Sequence, residues 1–302
     1  MSTKPGRLRS LFSRSPHPAP SSVPAELASI DGWVCPFTGD PPRAASVHVV
    51  VGGKNWRQAA WMLASWLHFT ESAWKIVIHD DGTLTDEAES ALRKIFAAAR
   101  IIRRKESDAA LQPVLGAFPF AETLRADDPN SLRILDARHF SDAEKFFVFS
   151  TGVLFFNHPR EMIDWAESDA EECWLTEAAE EKSIVKPAEA RDELGVEVWP
   201  RADDGIWMIS KPAFDLEFID AALARTSLLR GSLEHTTRTL AMLCAARNAK
   251  GGLLPRRFEV SRQRQAADDA VCRHYDGAAR ERFVTDGLRR VAPHLFPPDE
   301  AS

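Results

Sequence analysis

The sequence predicts an α/β protein, a three-layer α/β/α sandwich built on a mostly parallel mixed sheet. Three observations lead there. Short β-branched runs alternate with stretches of helical apolar spacing, most runs stop at glycine or aspartate, and further apolar strands are interleaved with helices in the second half. The chain has 302 residues, 44% hydrophobic and 27% charged, enough to bury one large core.

Residues 1–25, rich in Ser, Pro and Arg, predict a disordered basic tail, and residues 26–302 a single domain. The tail has no apolar core of the kind a secretory leader needs. Cys35 to Arg43 (CPFTGDPPR) reads as a connector rich in turn residues. Val47–Val51 is the first strand, closed by Gly52-Gly53. Trp56, Ala59, Ala60, Leu63, Trp66 and Leu67 form one apolar stripe and predict a helix over Asn55–Thr70. Lys75–His79 is a second strand, stopped at Asp80-Asp81-Gly82. Thr85 is placed to cap the next helix, with Asp86, Glu87 and Glu89 in its first turn, where acids suit the helix dipole. Arg100–Arg103 is a short third strand.

Ser131–Glu144 is expected to be a helix leading into FFVFSTGVLFF, Phe146 to Phe156, a buried strand interrupted by Ser150-Thr151-Gly152. The acidic piece Glu161–Glu193 reads as a surface excursion. Val196–Trp199 and Ile206–Ile209 are strand candidates, followed by helices over Pro212–Leu229 and Glu234–Asn248. Val271–Pro293 reads as loop with a short helix.

A net charge of −6 gives no global basic field, which argues against nucleic acid and anionic lipid as partners. No apolar run reaches the roughly 18–20 residues of a membrane helix, so no integral membrane segment is expected. Cys35, Cys173, Cys244 and Cys272 are scattered without a CxxC pair. That argues against zinc and for the reduced thiols of a cytoplasmic protein.

Ligands of open parallel sheets bind beyond the carboxyl ends of the strands. Gly52 and Lys54 follow the first strand, where a phosphate would meet backbone N–H groups; a plain tight turn would look the same. Asp80 and Asp81 follow the second, suited either to a ribose hydroxyl or to capping their own backbone. Ser150, Thr151 and Gly152 follow the fourth and offer hydroxyls without charge, or a simple bend. Asp203-Asp204-Gly205 has the composition of a hairpin turn. Glu234-His235-Thr236 opens a helix, and His274-Tyr275-Asp276-Gly277 lies in the C-terminal loop.

Taken in order, these pieces resemble the A-type, Rossmann-like nucleotide-sugar glycosyltransferases, most closely the glycogenin and bacterial galactosyltransferase group. The resemblance runs from about Val47 to Arg290. It is carried by Leu132-Arg133-Ile134-Leu135-Asp136, by KFFVFSTGVLFFNHPREM (145–162), by Asp203 to Ile209, by Glu234-His235-Thr236 and by His274-Tyr275-Asp276-Gly277. It implies transfer of a sugar from a nucleoside diphosphate-sugar to a glycan or other hydroxyl acceptor, often with Mn²⁺ or Mg²⁺. A nucleotide-binding half would span about 45–157 and a sugar and acceptor half about 158–295.

Carried over residue by residue, the donor site would comprise Gly52, Lys54, Asp80, Asp81, Arg133, Ser150, Thr151, Gly152 and His274. Asp203, Asp204 and Glu234 would face sugar or acceptor, with Asp204, Glu234 and His235 as catalytic candidates. The sequence departs from the family at one point that matters. The two aspartates of the family's DxD motif, which hold the metal, stand where Ser150 and Gly152 stand here. A hydroxyl and a hydrogen do not replace carboxylate ligands for a hard cation. His235 also stands where the family has glutamine. Two outcomes follow: a metal-independent hexosyltransferase in which Lys54, Arg133, Lys145 and His274 neutralise the diphosphate, or a catalytically inactive glycosyltransferase-like binding or interaction protein.

Overall fold

The structure is a computed structural model that describes residues 23–37, 39–41, 45–230, 233–247, 250–260 and 265–297. Most of the expected tail, residues 1–22, lies outside the described residues.

Among the described residues ten strands are formed: β1 (Ser46–Val51), β2 (Lys75–Asp80), β3 (Arg100–Ile102), β4 (Lys145–Phe149), β5 (Val153–Phe155), β6 (Cys173–Glu177), β7 (Ala202–Ser210), β8 (Gly251–Leu253), β9 (Phe258–Glu259) and β10 (Cys272–His274). Seven build the main sheet in the order β3-β2-β1-β4-β7-β6-β8, and β5-β10-β9 form a smaller one. The pairs β3-β2, β2-β1, β1-β4 and β6-β8 are parallel, and β7 runs antiparallel to both its neighbours. The sheet is therefore mixed and mostly parallel, as the alternation of strands and helices predicts.

Side chains alternate across a strand, and β4 shows the consequence. Phe147 and Phe149 enter the core under the helix Trp56–Thr70, while Phe146 and Val148 enter the core on the opposite face, against the helices Leu216–Arg225 and Leu233–Ala246. Both faces are covered, which is why parallel strands read as unbroken apolar runs. Trp66 anchors the first core, its ring centroid 5.0–5.4 Å from those of Phe147, Phe149 and Phe155. Each such aromatic contributes about 1.5–3 kcal/mol by burial alone. Thr85 caps its helix as expected, with Ala88 N donating to Thr85 Oγ1 at 3.2 Å.

Several expectations are corrected. FFVFSTGVLFF is two strands in two sheets, because the turn at Ser150-Thr151-Gly152 redirects the chain from β4 to β5. Val153 N donates to Ser150 O at 3.1 Å, and Ser150 N donates to Gly205 O at 2.8 Å. Glu161–Glu193 is not a surface excursion: it contributes β6 to the main sheet, flanked by the helices Arg160–Glu167 and Pro187–Leu194. Val196–Trp199 forms no strand; Val196 is buried in the second core, and Trp199 N donates to Met242 Sδ. Asp203-Asp204-Gly205 is not a turn but lies inside β7. The expected helix Ser131–Glu144 is a 3-10 turn, Pro129–Arg133, followed by a shorter helix, Leu135–Phe140. His274 ends a strand, β10, rather than lying in a loop. The four cysteines are free thiols.

Candidate functional site

A polar cleft of about 500 Å³ opens where β1 and β4 end. Lys54, Asn55 and Gln58 reach it from the loop and helix after β1, Asp81 from the end of β2, and Asn130 and Arg133 from the 3-10 turn Pro129–Arg133. Ser150, Thr151 and Gly152 form its floor after β4. Asp204 of β7, the stretch His274 to Asp276 and Arg280 close the other side, and Leu27 covers one edge. Trp61 Nε1 donates to Leu27 O at 3.1 Å and holds that edge in place.

Most of the sequence-derived candidates meet here: Lys54, Asp81, Arg133, Ser150, Thr151, Gly152, Asp204 and His274. Others do not. Asp80 is buried, and its Oδ1 accepts from Gly82 N at 2.8 Å and Leu84 N at 3.0 Å, so it caps the turn after β2. The N–H groups of Gly52 and Gly53 are engaged internally, donating to Asn55 Oδ1 at 2.7 Å and Thr83 Oγ1 at 3.0 Å. Gly52 serves close packing instead: a Cβ there would lie 2.2 Å from Asp81 Oδ2. Lys145 begins β4, at the far end of the strand, and its Nζ donates to Trp165 O at 2.8 Å and to Ser168 O. It cannot neutralise a ligand in the cleft. His235 stands behind the wall, accepting from Arg238 at Nδ1, and Arg238 Nη1 lies 3.7 Å from Asp204 Oδ1. Glu234 belongs to the helix Leu233–Ala246, but its side chain lies outside the described residues.

At the centre is a chain of hydrogen bonds. Asp203, fully buried, takes His274 Nδ1 at 2.7 Å and Gly205 N at 2.9 Å on Oδ1, and Lys182 Nζ at 2.8 Å on Oδ2. His274 Nε2 lies 3.1 Å from Ser150 Oγ. Burial alone would raise the Asp203 pKa, but His274 and Lys182 outweigh it and hold the carboxyl far below its usual range. Burial likewise opposes charge on His274, and the adjoining Asp203 overcomes it, so the imidazole pKa is raised. Two glycines make room for that ring. A Cβ at Gly205 would lie 2.9 Å from His274 Cβ, and one at Gly152 would lie 3.0 Å from Tyr275 O. Tyr275 is itself fixed by its hydroxyl, which donates to Asp286 Oδ2 at 2.6 Å.

Arg133 is buried with its guanidinium 4.0 Å over the Trp207 ring and donates to Asp204 O. Its Nε and Asp204 Oδ1 have no hydrogen-bond partner among the described residues. Asp203, Asp204 and His274 each present a ligand atom within 4.8 Å of the others. They do not fit a divalent cation: Asp203 already accepts from His274, Gly205 and Lys182, the lysine ammonium standing where a cation would need the second oxygen, and His274 Nδ1 is spent on Asp203. Lys182 and Arg280 were missed by sequence reasoning, and Asp276 stood inside a motif without a role of its own. Lys182 sits in the acidic stretch taken for an excursion, and Arg280 lies beyond the last motif.

No family model and no curated protein sequence matches the chain. Its fold is that of the A-type glycosyltransferases. It is similar to a solved structure of the galactosyltransferase LgtC with donor and acceptor sugar analogues, at 10% identity and TM-score 0.52, over 85% of this chain and 97% of that one. The bifunctional glycosyltransferase WbbM is similar at 12% identity and TM-score 0.50, over 85% of this chain and 51% of that one. Mouse xyloside xylosyltransferase 1 is similar at 8% identity and TM-score 0.49, over 76% of this chain and 96% of that one. At such identity the likeness is one of fold. No described helix is long and apolar enough to cross a membrane.

Proposed function

We propose that the cleft binds a nucleoside diphosphate-sugar and that the protein is a glycosyltransferase working without a divalent metal. The observation that carries this reading is the meeting of Arg133, Lys54, Arg280 and His274 in one cleft beyond the strand ends of an A-type fold. Glycosyl transfer leaves a diphosphate carrying negative charge, and preorganised cations stabilise that charge as it develops. Asp203 supports a charged His274, and Arg133 is fixed over Trp207 with its Nη1 and Nη2 on Asp204, a partner it would exchange for, or share with, phosphate oxygens. Asp81 uses Oδ1 on Thr83, which leaves Oδ2 for a ribose hydroxyl. Asp204 is the group suited to hold a sugar or acceptor hydroxyl, with His235 acting on it only through Arg238.

Ser150 and Gly152 favour a second reading, a binding protein on the same fold without turnover, because neither supplies a carboxylate. Two measurements separate the readings. A nucleoside diphosphate at 100 times its Kd raises stability by about 2.7 kcal/mol, which thermal melting detects. Sugar transfer or hydrolysis in EDTA then decides between enzyme and binder. If no nucleoside diphosphate shifts the melting temperature at millimolar concentration, the donor reading fails, and with it a binder of nucleotide-sugar.

A further inference from the structure

We propose that Ser150, His274 and Asp203 form a nucleophilic relay that cleaves a carboxylic ester carried on an anionic, hydroxyl-rich molecule held in this cleft. The anionic, sugar-like carrier rests on the donor reading above; the relay does not.

The geometry carries the proposal. Ser150 Oγ lies 3.1 Å from His274 Nε2, and His274 Nδ1 lies 2.7 Å from Asp203 Oδ1. An ionised carboxylate only accepts, so Nδ1 must be the protonated nitrogen. Above its raised pKa the imidazole is neutral, and this leaves Nε2 as an acceptor aimed at the serine hydroxyl, the tautomer a general base needs; below it the ring is the cation of the donor reading. Asp203 is buried and further fixed by Gly205 N and Lys182 Nζ, so the ring cannot swing away from the serine. Gly205 and Gly152 pack so closely on His274 and Tyr275 that a side chain at either position would displace the ring or its strand. Ser150 stands at the strand-to-turn step after β4 and faces the cleft. Pairing a hydroxyl with a base that a third group orients is the arrangement by which a serine becomes a nucleophile.

The chemistry balances with water as the only co-reactant. Ser150 Oγ bonds to the ester carbonyl carbon while its proton passes to His274 Nε2. The C–O bond to the alcohol breaks, and the departing oxygen takes that proton. Water, losing a proton to Nε2, attacks the acyl-serine; the acid leaves and Oγ regains the proton. Arg133 and Lys54, in the same cleft, are the cations available to the tetrahedral oxyanion or to the carrier's negative charge. Asp203 is a positioning residue; Ser150 and His274 touch the reacting atoms.

The test uses the full chain, a fluorophosphonate probe read by intact mass and peptide mapping, and p-nitrophenyl acetate hydrolysis. The expected result is a single adduct on Ser150. Ser150→Ala, with an unchanged melting temperature, should form none and lose ester hydrolysis. His274→Gln should label more slowly by roughly 100-fold or more. Asp203→Asn should lower kcat by roughly tenfold or more while leaving KM within about twofold, a split that general loosening of the site does not produce. Absence of an adduct, an adduct elsewhere, or wild-type hydrolysis by Ser150→Ala overturns the relay. Melting with uridine and guanosine diphosphates is read separately. A nucleotide shift without a serine adduct overturns the relay and keeps the donor reading; an adduct without a shift supports the relay and removes the donor reading.

Discussion

Through His79, a buried histidine, acidification from pH 7.5 to 4.5 should cost this protein about 2–3 kcal/mol of stability. His79 of β2 and His48 of β1 lie side by side inside the sheet; His48 Nδ1 and His79 Nε2 share a hydrogen bond of 2.9 Å, and both residues are buried. Burial, aided by Arg100 and Arg125 against an opposing Asp136, holds the His79 pKa at about 4. In the unfolded chain it returns to about 6.5. Between those values the unfolded chain binds a proton that the native protein does not, so stability falls as pH falls. A difference of about 2.5 pKa units at about 1.36 kcal/mol each gives about 3 kcal/mol in full, most of it lost by pH 4.5. His48 is lowered too and adds to the same slope. His274 opposes it over the upper part of the range: its raised pKa gives stability that is whole below about 6.5 and is lost at higher pH, so acidification restores what pH 7.5 had removed, and the comparison with His79→Gln isolates the His79 share. The depressed carboxyl of Asp203 matters only below about 3.9, the unfolded value. Urea unfolding of wild type and His79→Gln at both pH values measures the effect. A change with pH in His79→Gln equal to that of wild type would refute the reasoning.

Other outcomes follow from the cleft. Arg133→Met keeps a side chain over Trp207 but removes charge-assisted hydrogen bonds worth about 1.5–3 kcal/mol, so calorimetry should find nucleoside diphosphate binding about 10- to 100-fold weaker. Gly205→Ala places a methyl 2.9 Å from His274 and should cost about 1–3 kcal/mol in urea unfolding, whereas Gly32→Ala, with no atom within 4 Å of the new methyl, should cost far less. Tyr275→Phe removes the donor to buried Asp286 and should cost about 1–3 kcal/mol, read as a lower melting temperature.

The first half of the fold was legible because its first two strands are β-branched runs buried on both faces, stopped by glycine after β1 and by aspartate and glycine after β2. Val47–Val51, Lys75–His79 and the Thr85 cap needed no tertiary information. The second half was not, because its strands carry mixed signals. Cys173–Glu177 lies in an acidic stretch, and its place in the sheet comes from pairing with β7 and β8, partners remote in sequence. Asp203-Asp204-Gly205 has turn composition, yet Asp203 folds its carboxylate back onto Gly205 N and lets β7 continue. Cys272–His274 is too short to show a period and is a strand only because β5 and β9 flank it. For the site, Arg133, Ser150 and His274 were read from motif order, and they meet. Of the two adjacent aspartates expected there, Asp80 is buried and only Asp81 reaches the cleft. Lys145 was a misreading of strand direction, since a residue at the amino end of β4 cannot reach a site at its carboxyl end.

The central claim is that fixed cations, and not a metal, hold a diphosphate beside Ser150. Isothermal titration of uridine and guanosine diphosphates into the protein in excess EDTA tests it most directly. The account predicts saturable binding of at least one of them in EDTA, unchanged by added Mn²⁺ and weakened in Arg133→Met. Binding that appears only with Mn²⁺, or no binding at all, would contradict it.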